Sequence, residues 1–347
     1  MSDILALARP EIRALVPAAA HTKAAAAAVR LHANENPWPD EADVSPTALN
    51  RYFDGQPQAL VDALAAHYGV DPASLLVTRG SDEAIDLLVR AFCRAGEDRI
   101  LVCPPTFGMY RFSAEVQGAG VLAVPLADDF RLDDEALIRR WTPDVKVVFL
   151  CSPNNPTGIV EPPEVVKALV ASAPGVVVVD EAYVDFADAN CLALVRKHEN
   201  ILVTRSLSKS YALAGLRFGF VVAQPQMIEQ LRKVKDSYNC DALSIAGATA
   251  AIDDQTWLQE TRAAILATRE RMMAALRELG FASVPSQANF VWNPHPSVPV
   301  EPLYQKLKAA GVLVRYMNYA LWGDGLRISV GTDEQVDACL DLLKTLV

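Results

Sequence analysis

Short apolar runs, each followed by a cluster of polar residues, constrain the fold of this chain more than any other feature of its sequence. The runs are 75–77, 100–102, 145–150, 176–179, 201–203 and 218–222. Stretches with a helical pattern separate several of them. Continuous apolar runs in this arrangement indicate strands that are buried on both faces of a mostly parallel sheet. We therefore predict an α/β fold.

Polar clusters follow these runs at the points where the strands are expected to end. The clusters lie at 78–83, 103–108, 152–158, 180–183 and 206–209. Ligands of parallel sheets bind beyond the carboxyl ends of the strands. The clusters therefore predict a functional site at that edge of the sheet.

The pattern changes after about residue 225. Long helical periodicity covers 226–235 and 257–279, shorter strand candidates follow at 289–292, 312–315 and 326–330, and a last helix begins at Glu334. We interpret this part as a smaller α+β domain that the N-terminal segment completes. The predicted division is an N-terminal arm at 1–40, a large domain at 41–240 and a small domain at 241–347.

Composition and charge exclude several classes of protein. The 347 residues carry a formal net charge of −10 without a basic cluster, which argues against nucleic acid or an anionic membrane as a partner. We expect no membrane span, because no apolar run is long enough, and no secretion signal. Six cysteines lack metal-ligand or C-x-x-C spacing, so we expect no metal site and a cytoplasmic location.

Lys209 follows a predicted strand and lies in a hydroxyl-rich turn, Ser206-Leu207-Ser208-Lys209. A lysine in such a place acts as an amine nucleophile when it is desolvated and has charged neighbours. The alternative for Lys209 taken alone is a solvated surface lysine.

Two other clusters suggest groups that would bind a ligand. Gly80-Ser81-Asp82 lies between a strand and a helix, where free backbone N–H groups would hold a phosphate; an ordinary helix cap by Ser81 or Asp82 is the alternative. Asp180 ends a run of four valines and needs a partner for its charge, either a salt bridge or a protonated pyridine nitrogen. Tyr183 would present its phenol to the same ligand.

A nucleophilic lysine, a phosphate site and an acid for a ring nitrogen together describe pyridoxal 5'-phosphate (PLP). The chain also resembles the fold-type I PLP-dependent aminotransferases, in the histidinol-phosphate aminotransferase branch, over nearly its whole length. The resemblance rests on the segments 33–37, 51–52, 80–83, 105–110, 152–158, 180–183, 206–209, 215–217, 238–239 and 326–329. It implies the three-layer aminotransferase fold.

The resemblance also implies roles for individual residues. Lys209 would join the cofactor covalently and move the substrate proton, Asp180 would pair with the ring nitrogen, and Tyr183 with Asn155 would hold the ring oxygen. Phe107 stands where the family usually has a tyrosine stacked on the ring. The phosphate would be bound by Ser81, Asp82, Ser206, Ser208, Arg217 and, from the neighbouring subunit of a homodimer with shared sites, Tyr52.

For the substrate, the resemblance implies two arginines, Arg327 and Arg315, which would accept a phosphate ester and a dicarboxylate in turn; exposed strand arginines are the alternative. Asn34 and Tyr238 complete the implied substrate site. The family commonly has a tyrosine that contacts the substrate phosphate where this chain has Ala18. The implied reaction converts L-histidinol phosphate and 2-oxoglutarate into imidazole acetol phosphate and L-glutamate.

Several other interpretations remain or can be set aside. An aromatic or broad-specificity aminotransferase and a phosphothreonine-type PLP decarboxylase would share nearly all of these motifs. Gly118-Ala119-Gly120 matches part of a dinucleotide-binding fingerprint, but it precedes an apolar run, so we interpret it as a turn. Ser206 and Lys209 match the S-x-x-K of serine acyl-transfer enzymes without the accompanying motifs.

Overall fold

The structure, a computed structural model, describes residues 4–16, 31, 33–39, 49–53 and 55–347. The alanine-rich stretch between residues 18 and 28, and with it Ala18, lies outside the described residues. No helix within the described ranges is both long and apolar enough to cross a membrane.

Seven strands form the larger sheet in the spatial order β1-β7-β6-β5-β4-β2-β3. Only β7 runs antiparallel to its neighbours, β1 and β6, so the predicted mostly parallel sheet is confirmed. The strands are β1 (Leu75–Thr78), β2 (Arg99–Val102), β3 (Gly120–Ala123), β4 (Val145–Cys151), β5 (Val176–Asp180), β6 (Ile201–Ser206) and β7 (Gly219–Val222).

Helices cover both faces of this sheet. Alternate valines of β5 enter two different cores: Val177 and Val179 one, Val176 and Val178 the other. This burial on both faces explains why the strand is a continuous apolar run. The helices of this part of the chain are α1 (Pro10–Ala14), α2 (Gln58–Tyr68), α3 (Gly80–Phe92), α4 (Met109–Gln117), α5 (Asp134–Arg140), α6 (Pro163–Ser172), α7 (Leu192–Val195) and α8 (Pro225–Val234).

A second, antiparallel sheet of three strands has the order β8-β10-β9. Its core residues pack against those of the last three helices. The elements are α9 (Ala242–Asp253), α10 (Gln255–Glu278), β8 (Phe290–Asn293), α11 (Val300–Ala309), β9 (Arg315–Tyr319), β10 (Gly323–Ser329) and α12 (Asp333–Lys344). The domain boundaries near residues 40 and 240 stay a prediction.

The strand expected at 312–315 is wrong, because β9 begins only at Arg315. Gly311 has a φ of +83° after the end of α11, and the Val312 amide donates to the Leu307 carbonyl. The apolar residues after this helix end therefore pack back on the helix and do not pair with a strand. Val312 and Val314 contact the small core from this turn.

The segment 118–123 contains both the expected turn and a strand that the sequence did not reveal. Gly118 ends α4 with a φ of +76°, as the interpretation of a turn requires. Gly120 then begins β3, which pairs with β2 at the edge of the sheet. Edge strands are only partly buried, which weakens the apolar signal of so short a run.

Gly219, the first residue of β7, lets the start of α3 approach the sheet. A Cβ atom at this position would lie 2.7 Å from the Arg205 carbonyl oxygen and 2.7 Å from the Gly80 carbonyl carbon. Both contacts are with backbone, which cannot move aside as a flexible side chain does.

We therefore expect Gly219→Ala to lower the free energy of unfolding by about 1–3 kcal/mol, the usual effect of overpacking. The control is Gly215→Ala, where a Cβ atom would have no neighbour within 4 Å, and a change below about 0.5 kcal/mol is expected. Urea denaturation of both variants measures the difference. Equal stabilities would show that the close approach at Gly219 has no energetic effect.

Candidate active site

A pocket lies where β4, β5 and β6 end and α3 begins. It brings together most of the residues for which the sequence predicted a role in cofactor binding. The lining residues are Ser81, Asp82, Phe107, Cys151, Asp180, Ala182, Tyr183, Ser206, Ser208, Lys209 and Arg217. The polar clusters after the strands thus meet in one place, as a parallel sheet requires.

One end of the pocket is formed by the first turn of α3. The cap position belongs to Arg79, whose side chain makes no capping hydrogen bond, and Ser81 and Asp82 lie inside the helix. The alternative that Ser81 or Asp82 is an ordinary cap is therefore wrong. The first-turn N–H groups have no intrahelical acceptor and favour an anion.

Arg217 closes the same end. Its backbone is left-handed, with a φ of +53°, a conformation that costs free energy in a residue other than glycine. Its guanidinium donates to Ser208 Oγ at 3.3 Å and to Asp82 Oδ2 at 3.0 Å. A Cβ atom on Gly80 would lie 2.9 Å from Arg217 Nη2, so glycine leaves room for the arginine over the helix end.

Asp180 also lines the pocket and is only 2% exposed. Oδ2 accepts from the Tyr110 hydroxyl at 2.7 Å, and Oδ1 accepts from Thr204 Oγ1 and the Ala182 amide, each at 3.2 Å. All three donors are neutral, and no ion pair of the described residues includes Asp180. Burial raises the pKa of Asp180 from 3.8 to about 6, although the hydrogen bonds oppose the shift.

Lys209 is a lining residue of the same pocket and is exposed. Burial of its amine, and then the positive charges of Arg327 and Arg217, lower the pKa of Lys209. The amine lies 5.9 Å from the ring centroid of Tyr183. A lysine with a lowered pKa in a pocket is not the simple solvated lysine that formed the alternative.

Arg327 on β10 of the small sheet is not a lining residue of the pocket. Its guanidinium donates to Asn155 Oδ1 and lies 5.4 Å from the ring centroid of Phe290. Phe290 in turn makes an edge contact with Tyr183, at 4.9 Å between centroids. Asn155 is thus beside the pocket without lining it. Arg315 is exposed and pairs directly with Arg327 across β9 and β10.

Three other predicted residues lie outside the pocket lining. The rings of Tyr52 and Tyr238 stack at 4.4 Å, and Tyr52 is 50% exposed. Asn34 is exposed, with a left-handed φ of 54°. Glu35 accepts from the Tyr52 amide at 2.7 Å and from Arg51 at 2.9 Å, which connects this segment to Tyr52.

The sequence did not reveal three neighbours of Asp180. Tyr110 was seen only as part of a motif, and neither Thr204 nor Cys151 was given a role. Thr204 and Cys151 are the residues that pair with Asp180 across β6 and β4. Strand order and register decide such contacts, and the sequence of one strand carries no signal for them.

Comparison with known proteins identifies the family. Residues 22–343 match the model of the family described as "Aminotransferase class I and II". The chain belongs to this family.

Individual aminotransferases agree with the family match. The chain is 47% identical to the histidinol-phosphate aminotransferase of Rhodopirellula baltica over 325 residues, which cover 91% of this chain and 89% of that one. It is 39% identical to that of Geobacter sulfurreducens, covering 92% of each chain. The crystal structure of the Sinorhizobium meliloti histidinol-phosphate aminotransferase in complex with pyridoxal-5'-phosphate aligns with a TM-score of 0.81 and 27% identity, covering 86% of this chain and 84% of that one. The predicted fold-type I architecture is thereby confirmed.

The raised pKa of Asp180 gives this aminotransferase a testable pH dependence. The fold prefers the protonated acid, so the ionised carboxylate destabilises the cofactor-free protein increasingly as the pH rises from about 4 to 6. We expect Asp180→Asn to stabilise the cofactor-free protein by up to about 3 kcal/mol at pH 7.5 and by little at pH 4. Melting temperatures at the two pH values measure the effect.

The control is Asp134→Asn, which replaces an exposed aspartate in the first turn of α5. It should show no comparable gain at pH 7.5. A loss of stability in Asp180→Asn at pH 7.5 would contradict the claim that the ionised Asp180 carboxylate lowers the free energy of unfolding.

Proposed function

We propose that the protein is a PLP-dependent aminotransferase that converts L-histidinol phosphate and 2-oxoglutarate into imidazole acetol phosphate and L-glutamate. The observation that carries the proposal is a single pocket lined by anion-binding groups, a lysine of lowered pKa and a buried carboxylate. The names of the most similar relatives support the choice of substrate.

The residues present fit PLP at both of its ends. Helix α3 offers free N–H groups at Ser81 and Asp82, and Arg217 adds a cation beside Ser208, so this end suits a phosphate. In this arrangement a Cβ atom at position 80 would lie 2.9 Å from Arg217 Nη2, so glycine leaves the arginine its place. Asp180 has no cation of its own among the described residues and therefore suits a protonated ring nitrogen. We assign the phosphate to the first end and the ring nitrogen to the second.

When bound, PLP supplies an aldehyde for the amine of the substrate and a protonated ring that withdraws electrons from it. Lys209 would hold the cofactor between reactions. Its amine would then take the proton from the substrate α-carbon, as a general base, and deliver it to the former aldehyde carbon of the cofactor, as a general acid. The lowered pKa of Lys209 increases the fraction of free amine at neutral pH, and both the attachment to the cofactor and the removal of the substrate proton require the free amine.

Other side chains would orient the ring. We propose that Asp180 keeps its nitrogen protonated, that Phe107 packs on its face, and that Asn155 and Tyr183 donate to its oxygen. Burial raises the pKa of Tyr183, so its phenol stays a donor at neutral pH. Ser206 lines the pocket beside Ser208 and would join the phosphate site.

Arg327 and Arg315 would bind the acidic groups of the substrates. Like charges directly opposite each other destabilise a sheet, and these two arginines are paired across β9 and β10. A bound anion between them would remove the repulsion and would form charge-assisted hydrogen bonds. A phosphate ester and a dicarboxylate both satisfy this requirement, as a reaction with two successive substrates needs.

We also propose a cytoplasmic homodimer in which Tyr52 of each subunit contributes to the phosphate site of the other. The half-exposed Tyr52 is stacked on Tyr238 and lies outside the pocket lining of its own chain, which suits contact with a second subunit. Asn34 and Tyr238 would border the substrate entrance formed there. The six cysteines are free thiols, as is usual in a reducing compartment.

The role of Lys209 predicts the effect of its removal. Lys209→Ala should abolish amino transfer and still bind PLP reversibly, because the phosphate and ring contacts remain. The control is Lys235→Ala, since burial also lowers the pKa of Lys235 but its amine donates to backbone carbonyls outside the pocket. Glutamate formation and equilibrium dialysis with PLP measure the two properties. Substantial amino transfer by Lys209→Ala would refute the assignment.

The choice of substrate predicts an order of activity among amino donors. With 2-oxoglutarate as acceptor, kcat/KM for histidinol phosphate should exceed that for phenylalanine by about tenfold or more, because the doubly charged phosphate ester offers more charge-assisted hydrogen bonds to the two arginines than the single carboxylate of phenylalanine does. Carbon dioxide release should stay negligible. A preference for phenylalanine would indicate an aromatic aminotransferase, and release of carbon dioxide from phosphothreonine would indicate a decarboxylase.

A further inference from the structure

Tyr110 is a fully buried tyrosine on α4 that contacts both groups expected to hold the cofactor ring. Its hydroxyl donates to Asp180 Oδ2 at 2.7 Å, which is the shortest of the hydrogen bonds to this carboxylate. The edge of its ring meets Phe107 at 5.7 Å between centroids. Tyr110 therefore contacts both Phe107, which we propose packs on the face of the cofactor ring, and Asp180, which we propose pairs with the ring nitrogen.

The position of this phenol is fixed by its packing. The ring of Tyr110 lies parallel to that of Phe149 on β4, at 4.7 Å between centroids and 6° between planes. Neither tyrosine nor phenylalanine is exposed to solvent. A ring stacked in this way cannot swing its hydroxyl away without disrupting the core between α4 and the sheet.

The neighbouring residue Glu181 shows what Asp180 lacks. Glu181 is equally buried, but Arg205 donates to it at 2.6 and 2.9 Å, so its charge is balanced by a cation. Within the described part of the chain, the donors to Asp180 are the hydroxyl of Thr204, the backbone amide of Ala182 and the phenol of Tyr110. Its negative charge is therefore left available for a cationic ligand, and neutral donors alone hold its orientation.

We infer that Tyr110 is a positioning residue for the proposed reaction: its phenol keeps Asp180 ionised and fixes the direction in which the carboxylate meets a protonated ring nitrogen. The inference rests on the proposed function, because it concerns the ring of PLP. Tyr110 would act only through Asp180 and would touch neither the substrate nor the reacting atoms. Burial raises the pKa of Tyr110 far above its usual value, so the hydroxyl remains a donor throughout the working range.

Tyr110→Phe isolates the hydroxyl, because it preserves the stacked ring. A hydrogen bond to a charged group stabilises by an amount that corresponds to roughly 10- to 100-fold in an equilibrium or rate constant. We expect the dissociation constant of PLP to rise about tenfold and kcat to fall about 10- to 100-fold. The KM for the amino donor should change less than about threefold, because the substrate-binding arginines are untouched.

A double-mutant cycle with Asp180→Asn separates positioning from a general structural role. Tyr110→Phe should weaken PLP binding in the wild-type background and should have almost no effect in the Asp180→Asn background. A purely structural role would change PLP affinity equally in both backgrounds, and that result would overturn the inference. Tyr304→Phe, a half-buried tyrosine of the small core, is the control for loss of a hydroxyl elsewhere.

A second readout uses the protein without PLP. Asp180→Asn should raise the melting temperature at pH 7.5 more in the Tyr110→Phe protein than in the wild type, because the buried carboxylate has lost a donor. If Tyr110→Phe alone fails to fold and Asp180→Asn restores folding, the coupling is supported. If the double variant also fails to fold, the inference is wrong.

The outcomes distinguish the inference from the function on which it rests. If the wild-type protein binds no PLP, the proposed function fails and the inference fails with it. If the wild type binds PLP and transfers amino groups while Tyr110→Phe matches it in PLP affinity and kcat, only the inference fails.

Discussion

The burial of an ionisable carboxylate without a counter-ion is the constraint on which the rest of this structure depends. Asp180 ends a strand that is buried throughout, and three neutral hydrogen bonds are its only partners among the described residues. Such a group is costly in an empty fold and useful only when a cationic ligand arrives. The buried charge thus makes the cofactor-free protein less stable, and the Asp180 carboxylate is already oriented when the ligand binds.

The parallel sheet explains how the remaining groups reach this carboxylate. Lys209 follows β6, Asp180 ends β5 and Cys151 ends β4, so the same edge of the sheet collects residues that are far apart in the sequence. The start of α3 adds N–H groups to that edge, and Gly219 permits its close approach. The second sheet contributes Arg327, whose guanidinium donates to Asn155, so a residue proposed for substrate binding contacts a residue proposed for cofactor binding.

Much of this arrangement could be predicted from the sequence, and the exceptions have physical causes. Strands buried on both faces are continuous apolar runs, so the valines before Asp180 could be recognised. The apolar residues at 312–314 were misleading because Val312 and Val314 pack on the small core from the turn that follows α11, before β9 begins. The hydrogen bond from Tyr110 to Asp180 could not be predicted, because it depends on how α4 lies across the sheet. A strand register and a helix rotation are tertiary properties, and a single sequence does not display them.

The central claim is that Lys209 is the residue to which PLP is covalently joined, and chemical trapping tests it most directly. The purified protein, incubated with PLP, would be reduced with borohydride, digested and mapped by mass spectrometry. The account predicts that one reduced pyridoxal phosphate group is attached to the peptide that contains Lys209 and to no other peptide. Protein that carries no label, or a label on a different lysine, would contradict it.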